Sequence, residues 1–309
     1  MSEAASGIVE VLESAGISRA GFVAVVGRPN AGKSTLLNAL VGERLAMVSH
    51  KANATRKRMN FIITHGDAQI IFVDTPGLHH KEKLLNQFML QEALKAMGDC
   101  DLVLFLAPVG DPVAHYEEFL RLNKEKPHLL ILTKIDTMSQ KDLLQKIAQY
   151  ARYDTKYEAL IPVSVNKNIA LQAVLDEVAK LLPHSPALFD EEILTTENFR
   201  ALYKEIIRES IFENTSDEIP YESEVRIESF SETEGLDRVG AMIVVEKESQ
   251  KGVIIGKGGM TLKRIGKEAR EGMERLSGKK VFLKLFVKVQ KGWSKEKKGL
   301  VDFGYDFMQ

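Results

Sequence analysis

Gly27, Gly32, Lys33 and Ser34 occupy the fixed positions of the pattern GxxxxGK[ST] within residues 27–35, GRPNAGKST. Those residue types at that spacing do phosphate chemistry. Glycines allow backbone N–H groups to close around an anion, the lysine reaches the β- and γ-phosphates, and the hydroxyl that follows it ligates magnesium. The expected nucleotide contacts in this loop are Asn30, Ala31, Gly32, Lys33, Ser34 and Thr35. Residues 22–26 form a short valine-rich run that reads as a buried strand, and residues 35–41 carry leucines at helical spacing. Strand, glycine loop and helix is the order the chemistry requires, because the loop amides and the helix N-terminus must converge on the phosphates.

Three further stretches supply groups of the same kind. Residues 49–58 are polar, hold four basic residues and precede a strand at 59–64. A loop in this place can fold over a nucleotide, and a hydroxyl in it can complete a magnesium shell; Thr55 is the choice, with Ser49 nearby. A second strand at 69–73 ends in Asp74-Thr-Pro-Gly77. A carboxylate at such a strand tip holds magnesium through water, and the Gly77 N–H approaches the γ-phosphate. Lys33, Thr55 and Gly77 are therefore the expected catalytic set, and Ser34, Thr55 and Asp74 the expected metal set. Leu78 follows, and a leucine has no polar group with which to orient an attacking water. His79 and His80 read as solvent-exposed loop residues, and adjacent histidines rarely face one ion. After a strand at 129–132 comes Thr133-Lys134-Ile-Asp136. A carboxylate there accepts from both N1–H and N2–H of guanine, whereas adenine offers an acceptor at N1 and no 2-amino group. A site built on such bonds discriminates by roughly 10⁴.

The elements that must position these groups alternate between strand and helix. Helices are expected at 86–97, 115–123, 141–151 and 170–182, with strands at 102–106, 129–132 and 161–163. That alternation indicates a parallel α/β sheet with its ligand at the carboxyl ends of the strands. Pro183 and Pro186 then break any helix, and residues 183–192 read as a linker. Residues 1–20 read as a short amphipathic extension.

The composition is that of an ordinary soluble protein. Of 309 residues, 44% are hydrophobic and 28% charged, enough to bury a core in two domains. No apolar run approaches the ~18 residues of a membrane span. The N-terminus, with Glu3, Glu10 and Glu13 and no basic region, is not read as a secretory signal. Cys100 is the only cysteine, so a reducing compartment, the cytoplasm, is expected. The net charge of −1 conceals an asymmetry: 15 Lys and Arg stand against 4 Glu from residue 251 to 298, and 27 against 39 acidic residues elsewhere. An acidic body carrying a basic C-terminal module points to a phosphate-bearing partner, nucleic acid or anionic lipid.

That basic module has its own motif. A helix is expected at 197–212 and strands at 222–232, 240–248 and 281–289; between the last two lie Gly256-Lys-Gly-Gly259 and a basic helix at 260–275. A GxxG turn joining two helices over a three-stranded sheet resembles the KH module, which clamps about four nucleotides of single-stranded RNA. The resemblance nominates Ile255, Gly256, Lys257, Gly258, Gly259, Lys263 and Arg264 as RNA contacts, while Ile254 and Ile255 also fit a core. Trp293 suits either base stacking or packing.

Taken together, GRPNAGKST, Thr55 before a basic pair, DTPG, TKID and the short Ser164-Val165 element resemble the Era family of GTPases over nearly the whole chain beyond residue 20. The resemblance implies an α/β P-loop GTPase domain with a mostly parallel sheet at 21–182, followed by a smaller α+β domain of type II KH topology at 193–309. It makes Thr55 the magnesium threonine of the first switch. It matches Asn30 to an asparagine that, in relatives, helps bind potassium. It sets Ser164 and Val165 against the guanine, beside Thr133, Lys134 and Asp136. Thr133 departs from the usual asparagine of NKxD, which is expected to weaken nucleotide affinity, and Val165 from the usual alanine. The implied activity is GTP hydrolysis with GTP/GDP, Mg²⁺ and an accessory K⁺. The implied partners of a monomer are the 3′ end of 16S ribosomal RNA and the 30S subunit during its assembly. The alternative is a nucleotide-regulated protein whose basic module docks peripherally on the anionic inner face of the cell membrane.

Overall fold

The computed structural model describes residues 16–42, 55–78, 84–190, 192–215 and 219–305. Ser49, His79, His80 and residues 1–15 of the expected N-terminal helix lie outside them. The chain divides into two compact bodies, built mainly from residues up to 196 and from 197 onward.

The first body contains β1 (Arg19–Gly27), α1 (Lys33–Val41), β2 (Met59–His65), β3 (Ala68–Asp74), the part of α2 (Leu84–Asp99) from Gln91 onward, β4 (Leu102–Pro108), α3 (Ala114–Leu122), β5 (His128–Thr133), α4 (Gln140–Tyr150), β6 (Ala159–Pro162) and α5 (Leu171–Leu181). The sheet order is β2-β3-β1-β4-β5-β6, parallel throughout except for the antiparallel β2–β3 pair. Every residue of β3 and β5 is buried, as runs of Ile, Leu, Val and Phe must be when helices cover both faces. The order reverses at β1, between β3 and β4, and such a switch point opens a crevice at the strand ends. Register brings the chemistry there: Val25 pairs with Asp74, Gly27 with Leu106, and Pro108 with Thr133.

Two boundaries differ from expectation. The strand starts at Arg19, paired with Ala68, so the end of the expected N-terminal extension belongs to the sheet. Residues 183–195, in large part expected as a linker, are tied to the first body. Pro183 O accepts from Ala20 N, and Gln69 Oε1 accepts from the N–H groups of Leu188 and Phe189. Gln69 Nε2 donates to Phe189 O, and Ile62 N to Leu194 O. A backbone stretch rich in proline cannot join a ladder fully, so a buried glutamine side chain satisfies it instead.

The second body comprises α6 (Phe199–Asn214), β7 (Ser223–Ser231), β8 (Leu236–Val245), α7 (Glu248–Ile255), α8 (Met260–Ser277), β9 (Lys280–Val289) and α9 (Lys297–Asp302). The order αββααβ with a β7-β8-β9 sheet, antiparallel then parallel, is type II KH topology. Tyr203, Ile207 and Ile211 of α6 and Ile265, Ala269 and Met273 of α8 pack on Val225, Val239, Ala241 and Ile243 of the sheet. The α8 residues recur at i, i+4 and i+8, a single helical stripe.

β8 ends at Val245, short of the expected Glu248, because Gln250 Oε1 accepts from both Glu246 N and Lys247 N and starts α7 at once. Trp293 is a packing residue rather than a base-stacking one. It is 1% exposed, its indole N–H donates to Glu222 O at 3.3 Å, and its ring meets Phe303 edge-on. The short α9 was not signalled by periodicity, since its six residues are less than two turns.

Candidate functional site

The phosphate loop leaves β1 at Gly27, where a side chain could not fit: a Cβ there would stand 2.7 Å from Leu106 O. The loop closes into α1, whose first residue is Lys33. Lys33 is buried, and its Nζ donates to Gly27 O at 3.3 Å and Arg28 O at 3.1 Å, so the ammonium spans the loop's interior. Burial lowers its pKa to about 8, against a partial upward pull from Asp74.

Three oxygens meet beside it. Ser34 Oγ and Thr55 Oγ1 each donate to Asp74 Oδ2 at 3.0 Å and lie 3.3 Å from each other. Asp74 is buried, which raises its pKa to about 6, while Lys33, Ser34 and Thr55 pull it down. Its Oδ1 is buried with no hydrogen-bond partner among the described residues. Two hydroxyls and a carboxylate with an orphaned oxygen form the hard-oxygen donor set that suits Mg²⁺. Bound there, the ion would neutralise phosphate charge and restore the Asp74 carboxylate to its ionised form. Gly77 lies against the phosphate loop, since a Cβ on it would be 2.8 Å from Pro29 N, and Leu78 N donates to Gly27 O at 3.0 Å. The Leu78 side chain packs on the core beneath the sheet end, so it positions no water.

The residues expected to read the base stand at the ends of β5 and β6. Asp136 sits in a short 3-10 turn, with Oδ1 accepting from Ser164 Oγ at 2.6 Å and Oδ2 from Asn166 Nδ2 at 3.2 Å. The Ser164 and Asn166 bonds hold its pKa below the ordinary carboxylate range, so it is ionised and aimed. Thr133 Oγ1 donates to Ala31 O at 2.8 Å and Lys134 Nζ to Asn30 O at 2.8 Å, tying the end of β5 to the phosphate loop. Thr133 thus ties the end of β5 to the phosphate loop through its hydroxyl. Asn30 adopts φ 60°, and Val165 is half-buried, its carbonyl accepting from Asn168 N. Thr35 follows Ser34 in the first turn of α1, half-buried. Sequence reasoning missed Asn166; its proximity in chain to Ser164 was the available signal.

In the second body, α7 ends at Gly256, whose φ of 71° and approach to Thr261 exclude other residues: a Cβ would lie 2.9 Å from Thr261 N. Gly259 N donates back to Gly256 O at 3.1 Å, closing a tight turn that leaves Lys257 and Gly258 exposed. Beyond the turn lies a groove of about 800 Å³ lined by Met260, Leu262, Lys263, Lys267 and Arg270 of α8 and by Leu283 of β9. Lys263, Arg264, Lys267 and Arg270 are exposed along this helix, so the groove has an apolar floor and a cationic wall. Of the nominated residues, Gly256, Lys257, Gly258 and Gly259 build the turn, and Lys263 and Arg264 line the groove. Arg264 Nη2 donates to Asn214 O at 3.4 Å, and Ile255 is half-buried above the core residue Ile254.

Comparison with known proteins agrees with this division. Residues 22–134 match the family described as 50S ribosome-binding GTPase, and residues 218–294 match the KH domain family. The chain is 55% identical over 293 residues to GTPase Era of Helicobacter pylori strain P12, covering 93% of this chain and 97% of that one. It is 49% identical over 282 residues to GTPase Era of Campylobacter concisus, covering 91% and 98%. Among solved structures, a variant of Aquifex aeolicus Era bound to GDP·AlF4− superposes with a TM-score of 0.89 at 33% identity, covering 94% of this chain and all of that one. A structure of Era with MgGDPNP and nucleotides 1506–1542 of 16S ribosomal RNA superposes with the same score, identity and coverage.

Proposed function

The chain belongs to the Era family of GTPases, and from that premise we propose that it is a molecular switch that binds the 3′ end region of 16S ribosomal RNA through its KH domain and assists assembly of the 30S subunit. Its enzymatic activity is the conversion of GTP to GDP and phosphate. Lys33 and the loop amides would stabilise the charge that develops on the transferred phosphoryl group, and Ser34, Thr55 and Asp74 would hold Mg²⁺, which would supply further charge neutralisation. Asp136 would select guanine. The observation that carries the RNA half is the exposed Gly256–Gly259 turn beside a groove with an apolar floor and cationic wall.

Leu78 leaves water positioning to another group, so basal turnover is slow, on the order of 10⁻⁴ to 10⁻² per second. Potassium seated at Asn30 would supply additional positive charge to the phosphates. We place the protein in the cytoplasm. No helix among the described residues is long and apolar enough to cross a membrane. Docking on an anionic membrane rests on charge alone and has no separate observation behind it.

The test is steady-state GTP hydrolysis in potassium buffer, with and without a short RNA matching the 3′ end of small-subunit ribosomal RNA. Stimulation that vanishes when Lys257→Asp and Gly258→Asp are combined supports the proposal. Stimulation that persists in that variant overturns binding through the Gly256–Gly259 turn, and no stimulation of the parent protein overturns the coupling of RNA to turnover.

A further inference from the structure

β9 is the edge strand of the KH sheet and alternates strictly. Val281, Leu283, Leu285, Val287 and Val289 face the helices, while Lys280, Phe282, Lys284, Phe286 and Lys288 are all exposed on the opposite face. Phe282 is 53% exposed and Phe286 45%. A cation sits over each ring: Arg238 Cζ lies 5.8 Å from the Phe282 centroid and Lys284 Nζ 5.0 Å from that of Phe286. There is no acidic residue in β9. The other half of this sheet face is closed by the chain itself, where Val244 packs with Trp293, Leu300, Phe303 and Tyr305.

Lysines on an edge strand are explained by the need to discourage strand pairing, but half-exposed phenylalanines on the same strand work against that need. Aromatic rings interleaved with cations on a rigid strand have the chemistry of a base-stacking platform. Two rings are far less apolar area than an interfacial membrane anchor presents, which disfavours lipid.

We propose that the outer face of β9, centred on Phe282 and Phe286, is a second single-stranded RNA surface, which receives RNA that has passed through the KH groove and turned around the edge of the sheet. This rests on the KH domain binding RNA as proposed above. β9 borders both surfaces, because Leu283 and Leu285 line the groove from its inner side. At ~3.3 Å per residue the two phenylalanines stand about 13 Å apart along the strand. That spacing suits two stacked bases with a further nucleotide between them, its phosphate facing Lys284.

Fluorescence anisotropy with the full chain and two RNAs tests this, one of about four nucleotides that fills only the groove and one of about twelve that extends beyond it. Phe282→Leu/Phe286→Leu keeps the surface apolar and removes stacking. It should weaken the long RNA about tenfold or more and leave the short one unchanged. Phe282→Trp/Phe286→Trp should retain or tighten binding of the long RNA. Equal affinity of the parent and leucine proteins for the long RNA overturns the proposal. So does loss of binding to phosphatidylserine vesicles with RNA binding intact, which would make the face a lipid surface. The Lys257→Asp/Gly258→Asp protein separates the two ideas: if it binds both RNAs normally, groove binding itself is refuted, while the phenylalanine comparison still reads the face.

Discussion

Asp136 shows how one side chain can carry specificity. It is held between Ser164 and Asn166 with its pKa lowered, so under the proposed role its two oxygens would meet guanine without reorganisation. Two hydrogen bonds to a charged group contribute roughly 1.5–3 kcal/mol each, so Asp136→Ala should weaken GTP binding at least about 100-fold. Nucleotide titration by calorimetry checks this, and an unchanged affinity would remove Asp136 from the base site. Thr133 acts on the other side of the crevice. Thr133→Val removes the donor to Ala31 O and leaves a buried carbonyl unpaired, at a cost of about 1–3 kcal/mol. GDP dissociation should then speed up roughly tenfold or more, whereas Thr133→Ser should behave as the parent.

Elements transmit these positions, and two of them have measurable seams. β5 begins at His128, a buried imidazole whose Nε2 meets Tyr116 Oη at 2.8 Å and whose Nδ1 lies 3.3 Å from Asn123 Nδ2. Burial lowers its pKa from 6.5, partly offset by the carbonyl of Lys126. The unfolded chain therefore takes up the proton first. The stability contribution is complete above pH 6.5 and is lost progressively as pH falls toward the folded value. Urea midpoints measured from pH 7.5 to 5 should decline less steeply in His128→Gln than in the parent, and identical slopes would exclude this residue. The strap at 183–195 is the second seam. Gln69→Ala would orphan three backbone groups of Leu188 and Phe189, and should cost about 2–3 kcal/mol in urea unfolding of the first body.

At the scale of the whole molecule, positive charge is concentrated in residues 251–298, with 15 Lys and Arg against 4 Glu, while the rest of the second body is acidic. RNA affinity should fall linearly in log–log plots against salt, because cations on α8 displace counterions from phosphate. Lys267→Gln should lower the slope by about 0.7, with little change in sequence preference. Potassium should accelerate GTP hydrolysis over sodium at equal ionic strength, and equal rates would remove the ion from Asn30. An RNA that raises turnover would unite the two bodies in one cycle.

Much of this was legible in the residues because some functions need a backbone shape that few residues allow. Gly27, Gly256 and the GK[ST] run mark their own loops, and Ile, Val and Leu runs between them mark fully buried strands. The fold class, the order of elements and the residues of the phosphate, base and GxxG motifs follow from that local chemistry. Only the tertiary structure decided matters that depend on partners distant in sequence. Trp293 is a core residue because Phe303 and Glu222 reach it. Leu188 and Phe189 are held because Gln69, more than a hundred positions earlier, supplies their hydrogen bonds. Asn166 bonds Asp136 because a turn carries it there. Alternation within β9 hinted at two faces, but which one the helices would cover was set by β8 and α8, and with it the exposure of Phe282 and Phe286. Local patterns specify which conformations a segment can take; burial and partnership are properties of the assembled chain.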